Sequence, residues 1–269
     1  MFQVQVVIDN KPFNFKVIKF SDGASSVVAP SLPKDFERAV ITIQNVSADS
    51  YSTVIQQVYD ILIEKSVFAH LKVCLPYLPY ARADRPFGEG YANPLKIFLR
   101  TFALLDINEL ELTDPHNLDA VMENAPQVDK VTVLSQAHCF KQVLNRNKPL
   151  KEFVKNYNPI ILAPDEGAWD NVIDIAKEHG KDYSLCRKER NPHNGYISGL
   201  EILEGTSVKG RNVIICDDIC DGGATFNIAA QKLREQGAKS IVLYVTHGIF
   251  SKGINSLEVD SVYFYQRII

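Results

Sequence analysis

The sequence has no long apolar run, no metal-spaced set of cysteines and no surplus of basic charge. Without a stretch of about 18 apolar residues there is no transmembrane helix to expect, and no membrane partner. Residues 1–10 lack a basic segment followed by a long apolar core, so they do not read as a secretory signal. The five cysteines (74, 139, 186, 216 and 220) are scattered and odd in number. Cys216 and Cys220 stand alone as a C-x₃-C pair, two ligands short of a structural zinc site. Reduced thiols in a cytoplasmic protein are the expectation. Lys and Arg number 29 against 32 Asp and Glu, a net charge of −3, so no basic face is on offer to nucleic acid. Short-period repeats and low-complexity tracts are also missing.

What the chain does have is apolar mass and alternation. Apolar residues make up 46% of 269, enough to fill a core in one large or two medium domains. Residues 2–9 and 12–19 alternate around Asp9–Asn10–Lys11 and read as a hairpin. Strands are expected at Val40–Ile43, Leu71–Leu75, Glu109–Leu112 and Lys130–Leu134. A helix capped by Ser52 or Thr53 would bury Val54, Ile55, Val58, Ile61 and Leu62. Asn93–Pro94 is a helix start, with Leu95, Phe98, Leu99 and Phe102 as its stripe. The polar residues 144–158 mark the expected domain boundary, giving domains 1–146 and 147–269. The second half repeats the alternation: strand Ile160–Ala163, helix Ala168–His179, strand Tyr183–Cys186, strand Val213–Cys216, helix 225–236, strand Ile241–Thr246. The fold class is therefore α/β, with mainly parallel sheets flanked by helices. In such sheets ligands gather beyond the carboxyl ends of strands.

Residues 213–225 read Val-Ile-Ile-Cys-Asp-Asp-Ile-Cys-Asp-Gly-Gly-Ala-Thr. A buried strand runs into three carboxylates, a glycine turn and a helix. Free N–H groups and the positive end of a helix dipole suit a phosphate. Asp217, Asp218 and Asp221 would repel one, so they should serve sugar hydroxyls or Mg²⁺, both of which take carboxylate oxygens. Together they point to a phosphorylated sugar.

This segment resembles the ribose-phosphate loop of the type I phosphoribosyltransferase fold, above all the version in phosphoribosyl diphosphate synthetases (ribose-phosphate diphosphokinases). Asp217, Asp218, Asp221, Gly223 and Thr225 match that pattern; Gly222 stands where the family has Thr, and Ala224 where it has Gly. Other motifs agree in order. Pro76–Arg85 alone would be a proline-rich surface loop, but it resembles the family's ATP loop, with Arg82, Asp84 and Arg85 matching and Ala83 in place of Gln. Phe20-Ser21-Asp22-Gly23 resembles the nucleotide-contacting Phe-x-Asp-Gly-Glu, with Ala24 for Glu. His116, in Thr113–Asn117, resembles a histidine that helps hold the catalytic Mg²⁺. Asp165, in Ala163–Gly167, resembles an acid that assists metal and ribose. Lys188 and Arg190 match two positions of a flexible catalytic loop, which would continue through Asn191–Tyr196. Thr246–Ser251 closely resembles Thr-His-Gly-x-Phe-Ser, which supports kinship without assigning a role.

The resemblance implies two tandem phosphoribosyltransferase-like domains and a homo-oligomer. It implies transfer of the β,γ-diphosphate of ATP to the anomeric hydroxyl of ribose 5-phosphate, with release of AMP. On that template Asp217 and Asp218 hold the ribose hydroxyls, and Asp221, Gly222, Gly223, Ala224 and Thr225 cradle the 5-phosphate. His116, Asp165 and Asp217 support Mg²⁺. Lys188 and Arg190, with His116, serve the transferring group, and Asp22, Arg82, Asp84 and Arg85 hold ATP. Gly222 removes a hydroxyl donor and opens space, so a substituted 5-phosphate such as ADP-ribose is an alternative acceptor. A non-catalytic regulatory subunit and a plain phosphoribosyltransferase are further alternatives, which AMP formation from ATP and a sugar phosphate would separate.

Overall fold

Two short stretches of alternation open the chain, and in the computed structural model they form a hairpin. Strands β1 (Gln3–Ile8) and β2 (Lys11–Lys19) pair antiparallel across Asp9 and Asn10. Both turn residues have positive φ, 43° and 67°, the conformation of the two-residue turns that match strand twist. The structure describes residues 3–44, 47–86, 88–125, 128–190, 197–202 and 207–268. Among them no helix is long and apolar enough to cross a membrane.

The chain divides into two units, Met1–Leu134 and Ser135–Ile269. In the first, β3 (Ser25–Val28) pairs with β2, and β4 (Arg38–Gln44) pairs antiparallel with β1. Strands β5 (His70–Leu75), β6 (Glu109–Thr113) and β7 (Lys130–Leu134) then add in parallel, giving the order β3-β2-β1-β4-β5-β6-β7. Period-two burial puts Ile41, Val73 and Leu110 in the core. Helix α1 (Ala48–Ile63) buries Val54, Ile55, Val58 and Leu62, but its cap is Ser47 rather than Ser52 or Thr53. Helix α2 (Pro94–Phe102) starts as expected, with the Asn93 side chain accepting from the Lys96 N–H. A short α3 (Leu118–Asn124) follows β6.

The second unit begins with α4 (Gln136–Arg146), capped by Ser135, and α5 (Lys148–Tyr157). The polar stretch 144–158 is thus mostly helix, and the units divide before it rather than at 146/147. Its Leu150 and Val154 are one helical turn apart and both buried, packing with Phe140 and Val143 of α4. Next come β8 (Ile160–Ala163), α6 (Trp169–His179), β9 (Tyr183–Arg190), β10 (Ile197–Ile202), β11 (Asn212–Cys220), α7 (Ala224–Glu235), β12 (Ser240–Gly248) and β13 (Ser261–Arg267). The sheet order is β10-β9-β8-β11-β12-β13, parallel except for β9 with β10. Strand β11 is buried on both faces. Ile214 and Cys216 join the core with α4 and α6, while Val213 and Ile215 join Phe226, Ala229 and Leu233 of α7.

Asp260 ties this sheet to α7. Its carboxylate accepts from the Ile241 N–H at 2.7 Å, the Ser240 hydroxyl at 2.9 Å and Arg234 at 3.0 Å. Burial alone would push this carboxyl up, but those three partners hold it below the usual range. A lowered carboxylate stabilises the fold above its unfolded pKa, about 3.9, and the contribution is lost as pH falls through the lower folded value. Asp260→Ala should cost about 0.5–1.5 kcal/mol in urea unfolding at pH 7, since the carboxylate is partly solvent-screened. The difference from the native chain should shrink on acidification below about pH 4.

Candidate active site

Strand β11 runs four residues beyond Cys216, so Asp217 and Asp218 lie on the strand itself, not after it. Asp217 faces Val245 across to β12. The Asp218 N–H donates to Asp217 Oδ1 at 2.9 Å, and the Ile219 N–H to Asp218 Oδ1 at 2.8 Å. These bonds turn the acids back on their own backbone and fix them at the carboxyl end of the sheet.

Asp221 and Gly222 follow, then Gly223 at φ +77°. A β-carbon on Gly223 would overlap Leu257 Cδ2, so glycine is required there twice over. Gly223 is the N-cap of α7 and, having no side chain, makes no cap hydrogen bond of its own. The first N–H groups of a helix have no acceptor within the helix, which is what an anion-binding helix end offers. Below them Phe226, Ala229, Ala230 and Leu233 anchor the helix in the core.

Asp165 follows β8, the strand next to β11. Its Oδ1 accepts from the Gly167 N–H at 3.0 Å and caps a 3₁₀ turn, Glu166–Ala168. Burial and the charges of Asp218 and Asp165 push the Asp217 carboxyl well above its usual value. The same acids surround thiols that stay protonated at neutral pH. Burial, then Asp217 and Asp221, lift Cys220 to about 12, and burial, then Asp165, lifts Cys186 to about 12. None of the five cysteines is in a disulfide. The second unit thus gathers acids, not nucleophilic sulfur, around the start of α7.

In the first unit the expected ATP loop lies beyond β5. Leu78 and Ala81 are buried, and Tyr80, at φ 60°, donates its hydroxyl to Asp49 at 2.5 Å. Arg82 and Arg85 are exposed. Asp84 is held from two sides. Asn93 Nδ2 donates to its carbonyl at 2.9 Å, and Asn117 Nδ2 donates to its carboxylate at 2.6 Å. Each asparagine also caps a helix, α2 and α3. The Asn117 bond brings the His116 loop beside Asp84, a contact that single-sequence spacing does not announce. His116 itself is exposed. Asp22 accepts from the Ala24 N–H at 2.9 Å in the β2–β3 turn. That turn lies on the same sheet edge as the β5 loop, but three strand spacings away, roughly 14 Å.

Lys188 and Arg190 lie on β9, opposite Leu200 and Ile197 of β10, rather than in a loop. Their side chains, and residues 191–196, lie outside what is described. Among the described residues, no three His, Cys, Asp or Glu side chains form a ready metal cage. Asp165 and Asp217 interact in the second unit, whereas His116 belongs to the first.

Two kinds of comparison bear on this geometry. The model of the phosphoribosyl transferase domain matches residues 141–269, the unit that holds the acids and α7. The ribose-phosphate pyrophosphokinase of Pyrococcus abyssi is 32% identical over 245 residues, 89% of this chain and 78% of that protein. The chain belongs to the ribose-phosphate pyrophosphokinase family. The Saccharolobus solfataricus member is 28% identical, covering 85% of this chain and 74% of its own. Among solved structures, phosphoribosylpyrophosphate synthetase from Mycobacterium smegmatis superposes with a TM-score of 0.70 over 87% of this chain and 72% of that one. At 19% identity that likeness speaks for the fold.

Proposed function

We propose that this family member transfers the diphosphate of ATP to the C1 hydroxyl of a ribose 5-phosphate moiety and releases AMP. One observation carries the reading: the acids of β11 run directly into the glycine-capped N-terminus of α7. Asp217 and Asp218 hold the ribose hydroxyls, and the Asp221–Thr225 turn holds the 5-phosphate with backbone N–H groups. The C1 oxygen then attacks the β-phosphorus in line. The new bond is C1–O–Pβ, the bond between Pβ and the α–β bridging oxygen breaks, AMP leaves, and the hydroxyl proton is released. Positioning and charge supply most of such a reaction. Arg82, Asp84, Arg85 and Asp22 serve ATP, and Lys188, Arg190 and His116 serve the transferring group.

Asp217 and Asp165, whose charges meet, offer carboxylate oxygens of the kind a hard divalent cation takes, although no three such side chains among the described residues form a cage. Asp165 and Asp217 would hold Mg²⁺; when bound, Mg²⁺ neutralises phosphate charge. A homo-oligomer in the cytoplasm completes the reading.

Gly222 favours a second acceptor, ADP-ribose. Its φ is outside the left-handed region, and a β-carbon there would meet nothing closer than 3.6 Å. The fold therefore admits a β-carbon at Gly222 in ordinary contact with Lys252 and Ser251, and without a side chain there the turn offers the phosphate no hydroxyl donor at this position. The test supplies purified protein with Mg²⁺–ATP and either ribose 5-phosphate or ADP-ribose, and reads AMP and diphosphorylated sugar by mass spectrometry. AMP with one acceptor is expected. Silence with both, from folded protein that binds ATP, would point instead to a regulatory subunit.

A further inference from the structure

The Thr246–Ser251 motif has so far no task, and its placement supplies one. Gly248 ends β12, and a β-carbon there would overlap the Phe250 ring. That space lets Phe250 fold back, at φ 50°, into the core against Phe264, with ring centroids 5.5 Å apart. The Ile249 and Phe250 N–H groups both donate to the Cys220 carbonyl, at 2.8 and 3.1 Å. Cys220 is the last residue of β11, so the turn after β12 is pinned directly beside the phosphate loop.

The residues this turn delivers are Ser251 and Lys252. A β-carbon built on Gly222 would lie 3.6 Å from Lys252 Cε, 3.8 Å from its Cδ and 3.9 Å from Ser251 Oγ. The ammonium is one bond beyond Cε. Lys252 is exposed and makes no ion pair among the described residues. Acidic charge from Asp217 and Asp221 surrounds the neighbouring Cys220, and a cation here would offset it for an anionic ligand.

We propose that Lys252, with Ser251 beside it, forms one wall of the acceptor's phosphate site and supplies the interaction that Gly222 cannot make. The inference rests on the reading of the Asp221–Thr225 turn as a phosphate site and adds a specificity residue to it. A long, flexible cation across a side-chain-free gap reaches a phosphate group on the ribose C5 oxygen, or the second phosphate of an acceptor that carries one.

The test uses the full chain with Lys252→Met, which keeps most of the stem, and Lys252→Arg, which restores charge. Charge-assisted hydrogen bonds are worth about 1.5–3 kcal/mol, so Lys252→Met should raise KM for the acceptor about 10- to 100-fold. KM for ATP should stay within about twofold, and Lys252→Arg should recover most of the loss. Calorimetric titration with inorganic phosphate gives a second readout that needs no turnover. If the native chain makes AMP while Lys252→Met leaves acceptor KM unchanged, the inference falls and the proposed activity stands. If the native chain makes no AMP but binds phosphate through Lys252, the activity falls and the inference stands. Phosphate binding that ignores Lys252, with no AMP formed, removes both.

Discussion

Gly223→Ala is expected to destabilise the protein by about 2–5 kcal/mol, while Gly222→Ala, one residue earlier, is expected to be neutral or slightly stabilising. The difference is geometric. Gly223 sits at φ +77°, where an L-residue carries a strain of about 1–2 kcal/mol, and its new methyl would overlap Leu257 Cδ2. Relieving that overlap means moving a side chain that is 9% exposed and packed in the α7 core, at a further cost of about 1–3 kcal/mol. At Gly222 the backbone is outside the left-handed region and the nearest atom to a β-carbon is 3.6 Å away. A glycine replaced at such a site gains about 0.4–1 kcal/mol from the restricted unfolded chain.

Urea unfolding of the two variants side by side reads both signs. Equal costs at the two positions would mean that the turn is not built as described. Activity should follow the same order. Gly223 sets where α7 begins, and a shift of about 1 Å in a positioned group can cost about a hundredfold in rate. Gly222→Thr restores the family's residue, so it should spare turnover with ribose 5-phosphate and depress it with ADP-ribose.

The legible parts of this chain were those where side chains follow a strict physical pattern. The strand Ile160–Ala163 is buried throughout, and its apolar run between polar flanks gave both ends correctly. Asn93–Pro94 announced α2 because the cap and the fixed proline φ act locally. Patterns set by distant packing were harder. Strand β11 was read four residues short because Asp217 and Asp218 look like loop residues, yet backbone pairing with β12 does not depend on side-chain type. Arg187–Arg190 was read as a charged run before a loop for the same reason, and it pairs with β10. Residues 144–158 were read as a domain boundary because the two buried residues of α5, Leu150 and Val154, are a thin stripe among lysines. The candidate site shows the same division. The acids and glycines around α7 were legible as a strand–turn–helix motif. The Asn117–Asp84 bond and the approach of Lys252 to Gly222 join residues 33 and 30 positions apart, through turns whose geometry no spacing rule encodes.

Asp217→Asn is expected to separate stability from activity by raising the first and removing most of the second. Asp217 shares its corner of the sheet with Asp218 and Asp165, and burial plus their charges resist its ionisation. For an acid so raised, ionisation opposes folding as pH climbs past the unfolded pKa of about 3.9. Replacing the carboxylate with an amide removes one repelling charge and adds donors for the two acids that remain. Without divalent cation, the variant should therefore melt above the native chain at neutral pH. With millimolar Mg²⁺ the native chain should gain midpoint by mass action, and the variant should gain little, so the two curves converge or cross. AMP release should fall about 10²- to 10³-fold, since a positioned charge at the reacting sugar is lost. Each half of this result has a different meaning. A variant that loses activity and melts lower would make Asp217 a structural acid, held by bonds to its own backbone. A variant that melts higher yet keeps its turnover would show that the crowding of the three acids serves neither cation nor ribose. Only the combined outcome, a more stable protein that no longer answers to Mg²⁺ and no longer releases AMP, identifies repulsion retained in the fold because the substrate and its cation relieve it.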